Sequence, residues 1–164
     1  MKHLFIANLI ILLISSCSFF SPDKKNETSG NHLADEQLLD TIQHQTFQYF
    51  WEGAEPNSGM ACERIHTDGN YPENDQTVVT SGGSGFGVMS IVVGMDHGFI
   101  TRDAGVERLA KIAGFLEKAD RFHGAWPHWL HGETGKVKPF GGKDNGGDIV
   151  ETAYLVQGLI CVKN

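Results

Sequence analysis

Along most of its length the chain sets apolar runs between polar stretches, and the spacing of the apolar residues predicts four helices. The first, over residues 35–53, carries Leu38, Leu39, Ile42, Phe47 and Phe50 on roughly one helical stripe. The second, over 84–97, holds Phe86, Val88, Met89, Ile91, Val92, Val93 and Met95. It is apolar almost all round, as expected of a helix buried on most sides. The third follows Thr101, a good N-cap, with Asp103 in the first turn where the helix dipole favours an anion. Val106, Leu109, Ala113 and Leu116 make its inward stripe, Glu107 and Lys111 pair on the wet side, and it ends before His123-Gly124. The fourth opens at Asp148 and runs through Val150, Ala153, Leu155, Val156, Leu159 and Ile160 with little polar surface.

Amphipathic and buried helices therefore take turns, as in a double layer of enclosed inner and half-exposed outer helices. A long alternating strand pattern is missing, although Thr77-Val78-Val79-Thr80 can pair briefly. The connections 54–83 and 123–147 are long and rich in Gly, Asp, His and Trp. Connections of that length are usually functional when they are not disordered, and their aromatic content argues against disorder. The last helix is strongly apolar and has no closing Gly or Pro after it, so a partial or truncated product is expected.

The N-terminus changes the picture of where the protein works. Lys2 precedes an apolar run over 4–14, shorter than the about 20 residues of a membrane-spanning helix. It reads as a secretory leader. The run ends in Ile14-Ser15-Ser16-Cys17, which resembles a bacterial lipobox cleaved before a lipidated cysteine. The alternative is an ordinary leader with an incidental cysteine. The lipobox reading gives a signal peptide over 1–16 and an acylated Cys17 inserted in the lipid bilayer. A polar, turn-forming tether containing Pro22 follows over 17–31, then a globular part over 32–164. The expected location is the periplasmic or cell-surface side of a bacterial membrane.

Charge narrows the partners. Asp and Glu number 20 against 13 Lys and Arg, with no basic cluster, which disfavours nucleic acid. Cys62 and Cys161 lack a CxxC partner, so a thiolate zinc site is not expected, while a disulfide between them is open.

Candidate chemistry lies in two loop-to-helix stretches. One contains Gly59-Met60-Ala61-Cys62-Glu63-Arg64-Ile65-His66, then Asp68-Gly69-Asn70-Tyr71-Pro72-Glu73-Asn74-Asp75 and Thr80-Ser81-Gly82-Gly83-Ser84-Gly85-Phe86-Gly87. The other contains Phe122-His123-Gly124-Ala125-Trp126-Pro127-His128-Trp129-Leu130, Gly132-Glu133-Thr134-Gly135 and Lys143-Asp144-Asn145-Gly146-Gly147-Asp148-Ile149-Val150-Glu151-Thr152-Ala153. Together they closely resemble the glucoamylase-like family of exported bacterial proteins, which includes the endo-β-1,2-glucanases of glycoside hydrolase family 144. The resemblance covers about residues 38–159. It implies an all-α fold, an (α/α)6 toroid of which this chain holds about the first four helices. It also implies inverting hydrolysis of a glucose polymer, β-1,2-glucan in particular, without metal or organic cofactor.

Inverting glycoside hydrolysis needs one protonated and one ionised carboxyl, ~6.5–9.5 Å apart. Asp148 and Glu151 stand at i,i+3 at the mouth of the fourth helix, and Asp144 lies on the Gly-rich approach. Neighbouring carboxylates raise one another's pKa, one route to a protonated acid. The same spacing also makes a variant capping box, with Asp148 at the N-cap and Glu151 bonding back to it. The resemblance puts the three acids in the cleft. Glu151 and Asp148 are then the catalytic candidates and Asp144 a substrate contact, with acid and base unassigned. Trp126 and Trp129 offer aromatic platforms to sugar rings, or loop-core packing instead. Arg64, His66 and His128 offer hydrogen-bond donors to hydroxyls, or structural contacts, and Glu63 can pair with Arg64 or Lys143.

Ser81-Gly82-Gly83-Ser84-Gly85 lacks the Lys-Ser/Thr ending of a phosphate loop and is expected to let backbone approach sugar at a helix N-terminus. His123, His128, His131 and Glu133 have the number for a metal site but no familiar spacing, and Pro127 interrupts any helix there. The remaining alternative is a glycan-binding surface lipoprotein without catalysis.

Overall fold

The computed structural model describes the backbone of residues 30–163 and the side chains of 34–163. The expected leader, Cys17 and all but the last two residues of the expected tether lie outside the described residues. The chain divides into two compact units. In the first, Met1–Leu38, the described residues are the opening turns of helix α1 (Gly30–Trp51), and Leu38 is exposed.

The second unit, Leu39–Asn164, holds the rest of α1 and every later element. These are β1 (Val78–Thr80), α2 (Ser81–Asp96), α3 (Arg102–Lys118), β2 (Trp129–His131), β3 (Val137–Lys138) and α4 (Ile149–Lys163). Four helices are thus present among the described residues, as the periodicity predicts. The strands form an antiparallel sheet in the order β1-β2-β3, with Thr80 opposite Trp129 and Leu130 opposite Val137. Only β1 was foreshadowed in the sequence, by its run of β-branched residues; β2 and β3 carry no such run.

The core gathers Met60, Val79, Val88, Ile91, Ile112, Leu116, Ala119, Leu130 and Leu155. Each large apolar side chain removed from water contributes about 1.5–3 kcal/mol. The core therefore ties the sheet to one face each of α2, α3 and α4.

Several expected faces turn out differently. Within the second unit, Leu39 and Ile42 of α1 are exposed, while Phe47 is buried, stacked on Trp51 and pressed against Gly94 of α2. On α3 the inward stripe runs through Gly105, Ile112 and Leu116, and Val106 and Ala113 face out. Lys111 donates to the Pro56 carbonyl at 2.6 Å instead of pairing with Glu107 as expected. Thr101 does cap α3, accepting from Ala104 N–H at 3.3 Å.

The helix stops at Lys118, short of the expected end, because Ala119 turns extended and packs beside Gly135. Asp120 then leaves to accept from Lys136 and from the Val137 N–H. Helices α2 and α4 are not enclosed: Phe86, Val93, Ile149, Val150, Tyr154 and Ile160 are exposed. Cys62 is buried and Cys161 exposed, both as free thiols.

The Gly-rich stretch is helical, not loop, since α2 begins at Ser81. Ser81 Oγ donates to the Pro127 carbonyl at 2.6 Å and Ser84 Oγ to the Thr80 carbonyl at 2.6 Å, while Ala61 N–H donates to Ser84 Oγ. A glycine in a helix costs about 1 kcal/mol against alanine. Here the missing side chains let α4 approach. A Cβ on Gly85 would lie 2.2 Å from the Tyr154 carbonyl oxygen, and one on Gly158 would lie 2.3 Å from that of Gly85. Contacts advance from Gly82–Glu151 to Gly85–Leu155 and Gly85–Gly158, so the two helices run parallel and share one N-terminal end.

Candidate active site at two helix N-termini

The loop before β2 brings those N-termini together. Asp148 N–H donates to the Trp126 carbonyl at 2.8 Å, and Trp126 N–H donates to Thr152 Oγ1 at 2.9 Å, strapping the loop to the first turn of α4. Ser81 N–H donates to the His128 carbonyl at 3.1 Å, fixing the same loop to the start of α2. His128 is therefore held between the two helix ends.

Asp148 caps its own helix. Its Oδ1 accepts from Val150 N–H at 2.9 Å and Glu151 N–H at 3.0 Å, and its Oδ2 lies 3.1 Å from His128 Nδ1. A carboxylate there selects the ring form protonated at Nδ1. Burial pushes the Asp148 carboxyl up. The bonds from the Glu151 amide, His128 and the Val150 amide outweigh that and hold it below the usual range. The expectation that neighbouring acids would raise this group is thus reversed by the cap and the imidazole.

Glu151 does something else. The reciprocal half of a capping box does not form, because the Asp148 N–H is spent on Trp126. Glu151 reaches across to α2 instead, where Thr80 occupies the N-cap position without capping through its own side chain. Its Oε2 accepts from Gly82 N–H at 2.8 Å and Thr80 Oγ1 at 3.1 Å. Its Oε1 faces His128 Nε2 at 3.9 Å, beyond direct hydrogen bonding. One oxygen is anchored and the other presented.

An aromatic wall adjoins these acids. Phe140 stacks on His128 with centroids 4.3 Å apart and tilts against Trp129 at 4.8 Å. Half of Phe140 is exposed.

No family model matches the chain. Over 78% of its length it matches the endo-β-1,2-glucanase of Chitinophaga pinensis, solved as a complex with sophorotriose and glucose, at 70% identity and TM-score 0.77. The chain is a homologue of β-1,2-glucanases. A β-1,2-glucanase structure from Parabacteroides distasonis matches 79% of it at 54% identity and TM-score 0.72. An exo β-1,2-glucooligosaccharide sophorohydrolase (non-reducing end) of the same organism is 55% identical over 132 residues, 80% of this chain. This glucanase homologue spans 31% of the Chitinophaga chain, 18% of the Parabacteroides structure and 17% of the sophorohydrolase. The expectation of an all-α, partial (α/α)6 toroid agrees with these matches in its helices, and the three-stranded sheet is an addition to it.

The homologue's remaining sequence candidates fall into different places. Trp129 stands in the aromatic wall. Trp126 packs against the core and donates its indole N–H to the Leu116 carbonyl at 3.3 Å, with the Arg121 guanidinium 5.2 Å above its ring, so packing is its observed role. Asp144 is exposed in a turn, bridged through its backbone to Gly141. Arg64 is exposed and paired with Glu63, and both Arg64 and His66 approach the buried Asp75, at 3.6 and 3.7 Å. His123, His128, His131 and Glu133 do not assemble; among the described residues no group of three or more His, Cys, Asp or Glu can hold a metal ion.

Sequence reasoning missed Thr80 and Phe140. Thr80 has one available signal, an N-cap residue type immediately before the Gly-rich opening of α2. Phe140 has none.

Proposed function

We propose that the protein is a glycoside hydrolase of β-1,2-glucan using an inverting two-carboxylate mechanism. Glu151 presents Oε1 to activate water, and Asp148 is the ionised carboxylate that fixes His128. Support comes from the 70% identity to an endo-β-1,2-glucanase, together with a carboxylate anchored through one oxygen beside an aromatic wall. Both acids stand at helix N-termini, which suit anions. Inversion also needs a protonated carboxyl to give its proton to the leaving glycosidic oxygen, and that acid is a group other than these two. Trp129 and Phe140 are read as the platform for a glucose ring, Arg64, His66 and His128 as donors to hydroxyls, and Asp144 as a substrate contact.

Incubation with linear β-1,2-glucan, followed by chromatography of the products, tests the reading. Short β-1,2-gluco-oligosaccharides are expected from the wild type and none from Glu151→Gln. A glutamine oxygen still accepts from Gly82 and Thr80, so that variant keeps the local structure and loses the base. Binding of glucan with no new reducing ends, by a folded wild type, would replace the enzyme reading by a glycan-binding one. Export and acylation at Cys17 belong to the same proposal; labelled palmitate should enter the wild type and not Cys17→Ala.

A further inference from the structure

We infer that Thr80 is a positioning residue for Glu151, acting with the Gly82 amide to fix Oε2 and leave Oε1 as the reacting oxygen. The inference rests on the reading of Glu151 as the carboxylate that acts on substrate, but it concerns a residue on the neighbouring helix. Thr80 sits where β1 ends and α2 begins. A threonine there normally folds its hydroxyl back onto the helix amides, yet this one makes no such cap. Its hydroxyl is turned outward at 3.1 Å from Glu151 Oε2, while the Gly82 amide that a cap would serve also donates to Oε2, at 2.8 Å. The cap of α2 is therefore supplied by a carboxylate 71 positions away in sequence.

Three further features hold the arrangement. The Thr80 backbone is locked from both sides, its N–H donating to the Ala61 carbonyl at 3.1 Å and its carbonyl accepting from Ser84 Oγ at 2.6 Å. Pairing of β1 with β2 sets Thr80 opposite Trp129 of the aromatic wall. A side chain at Gly82 would push Oε2 from its place, since a Cβ would stand 2.6 Å from it. A carboxylate on a flexible side chain thus loses one rotational choice before substrate arrives, and small misplacements of a reacting group are costly in rate.

The test uses Thr80→Val, Thr80→Ser and Gly82→Ala beside Glu151→Gln. Valine copies the shape of threonine without the hydroxyl, and serine restores the hydroxyl. Three-bond NMR couplings along the Glu151 side chain in the unliganded protein should report one rotamer for wild type and Thr80→Ser. Averaging is expected for Thr80→Val and Gly82→Ala. On β-1,2-glucan, Thr80→Val should lower kcat by roughly tenfold with KM within about twofold, and Thr80→Ser should recover most of it. Unaveraged Glu151 couplings in Thr80→Val would overturn the inference, as would a loss that serine does not recover. Averaged couplings with unchanged turnover, or turnover surviving Glu151→Gln, would instead sink the catalytic reading of Glu151 and leave the positioning contact standing.

Discussion

Adding one methyl group at Gly85 should unseat both the α2–α4 pairing and the candidate site at its end. The new Cβ would lie 2.2 Å from Tyr154 O, 2.6 Å from Tyr154 C and 2.8 Å from Leu155 Cα. All three obstacles are main chain, so no rotamer change relieves them. Carbon contacts are comfortable near ~3.5–4.0 Å, so the helices must part by roughly an ångström. Alanine gains about 1 kcal/mol over glycine as a helix former. Overpacking a filled contact costs typically ~1–3 kcal/mol, and obstruction by backbone belongs at the upper end. The net expectation is a loss of about 2 kcal/mol.

Gly114 on α3 supplies the control, because a Cβ there meets nothing within 4 Å. Gly114→Ala should therefore gain up to about 1 kcal/mol. With ~4 °C per kcal/mol for a domain of this size, the two variants should melt on the order of 10 °C apart, in opposite directions from wild type. Circular dichroism melts at one pH and one protein concentration decide it. Gly85→Ala melting at or above wild type would refute the close-packing argument. A second consequence follows: parting the helices draws Glu151 away from the Gly82 amide, so surviving folded Gly85→Ala should hydrolyse glucan more slowly.

Glu55→Gln should lower the urea midpoint by an amount equivalent to about 1–3 kcal/mol, because its buried carboxylate accepts four bonds, from both Asn57 donors and both Ser58 donors, and an amide cannot. Burial pushes Glu55 up, but those four bonds prevail and hold it below the usual range; its stabilisation is thus full above about pH 4.3 and is lost as pH falls through the folded value. Asp148 follows the same sign: its contribution is present above about pH 3.9 and disappears below it, so Asp148→Asn should flatten part of the acid limb in melts taken between pH 5 and pH 3. Asparagine still caps, so the neutral-pH melt should change little, while turnover falls as His128 loses its anion. Trp129→Ala and Phe140→Ala should weaken oligosaccharide affinity by calorimetry with modest loss of melting temperature; Trp126→Ala should do the reverse, costing about 3 kcal/mol of stability.

Periodicity located the helices because that signal is local. It misjudged which face turns inward wherever the partner is distant. On α1 the stripe of Leu39, Ile42 and Phe47 is real as a pattern, but only Phe47 finds Gly94 and Trp51. The start of α2 was hidden for a related reason. Ser81, Gly82 and Gly83 read as loop by propensity, and what makes them helical is the set of bonds from Ser81 to Pro127 and from Ser84 to Thr80, and the approach of Glu151. Trp126 and Trp129 are chemically alike and three residues apart, and only tertiary placement separates a packed indole from one in the aromatic wall.

The pair Asp148 and Glu151 shows why spacing alone could not choose between a helix cap and a catalytic site. The cap is what the structure shows, and it divides between the two residues. Asp148 performs the cap, and in doing so is held ionised and turns its second oxygen to His128. Glu151, freed from the reciprocal bond, caps the neighbouring helix with Oε2 and keeps Oε1 unspent beside the same imidazole. The parallel pairing of α2 and α4 makes this possible, since it alone brings two helix N-termini to one place. An antiparallel pair would have set a C-terminus opposite Glu151, where a carboxylate is disfavoured. The glycines that permit the parallel contact, Gly85 and Gly158, therefore belong to the candidate site as much as the acids do. Substitution there should be felt in turnover before it is felt in the far end of the core.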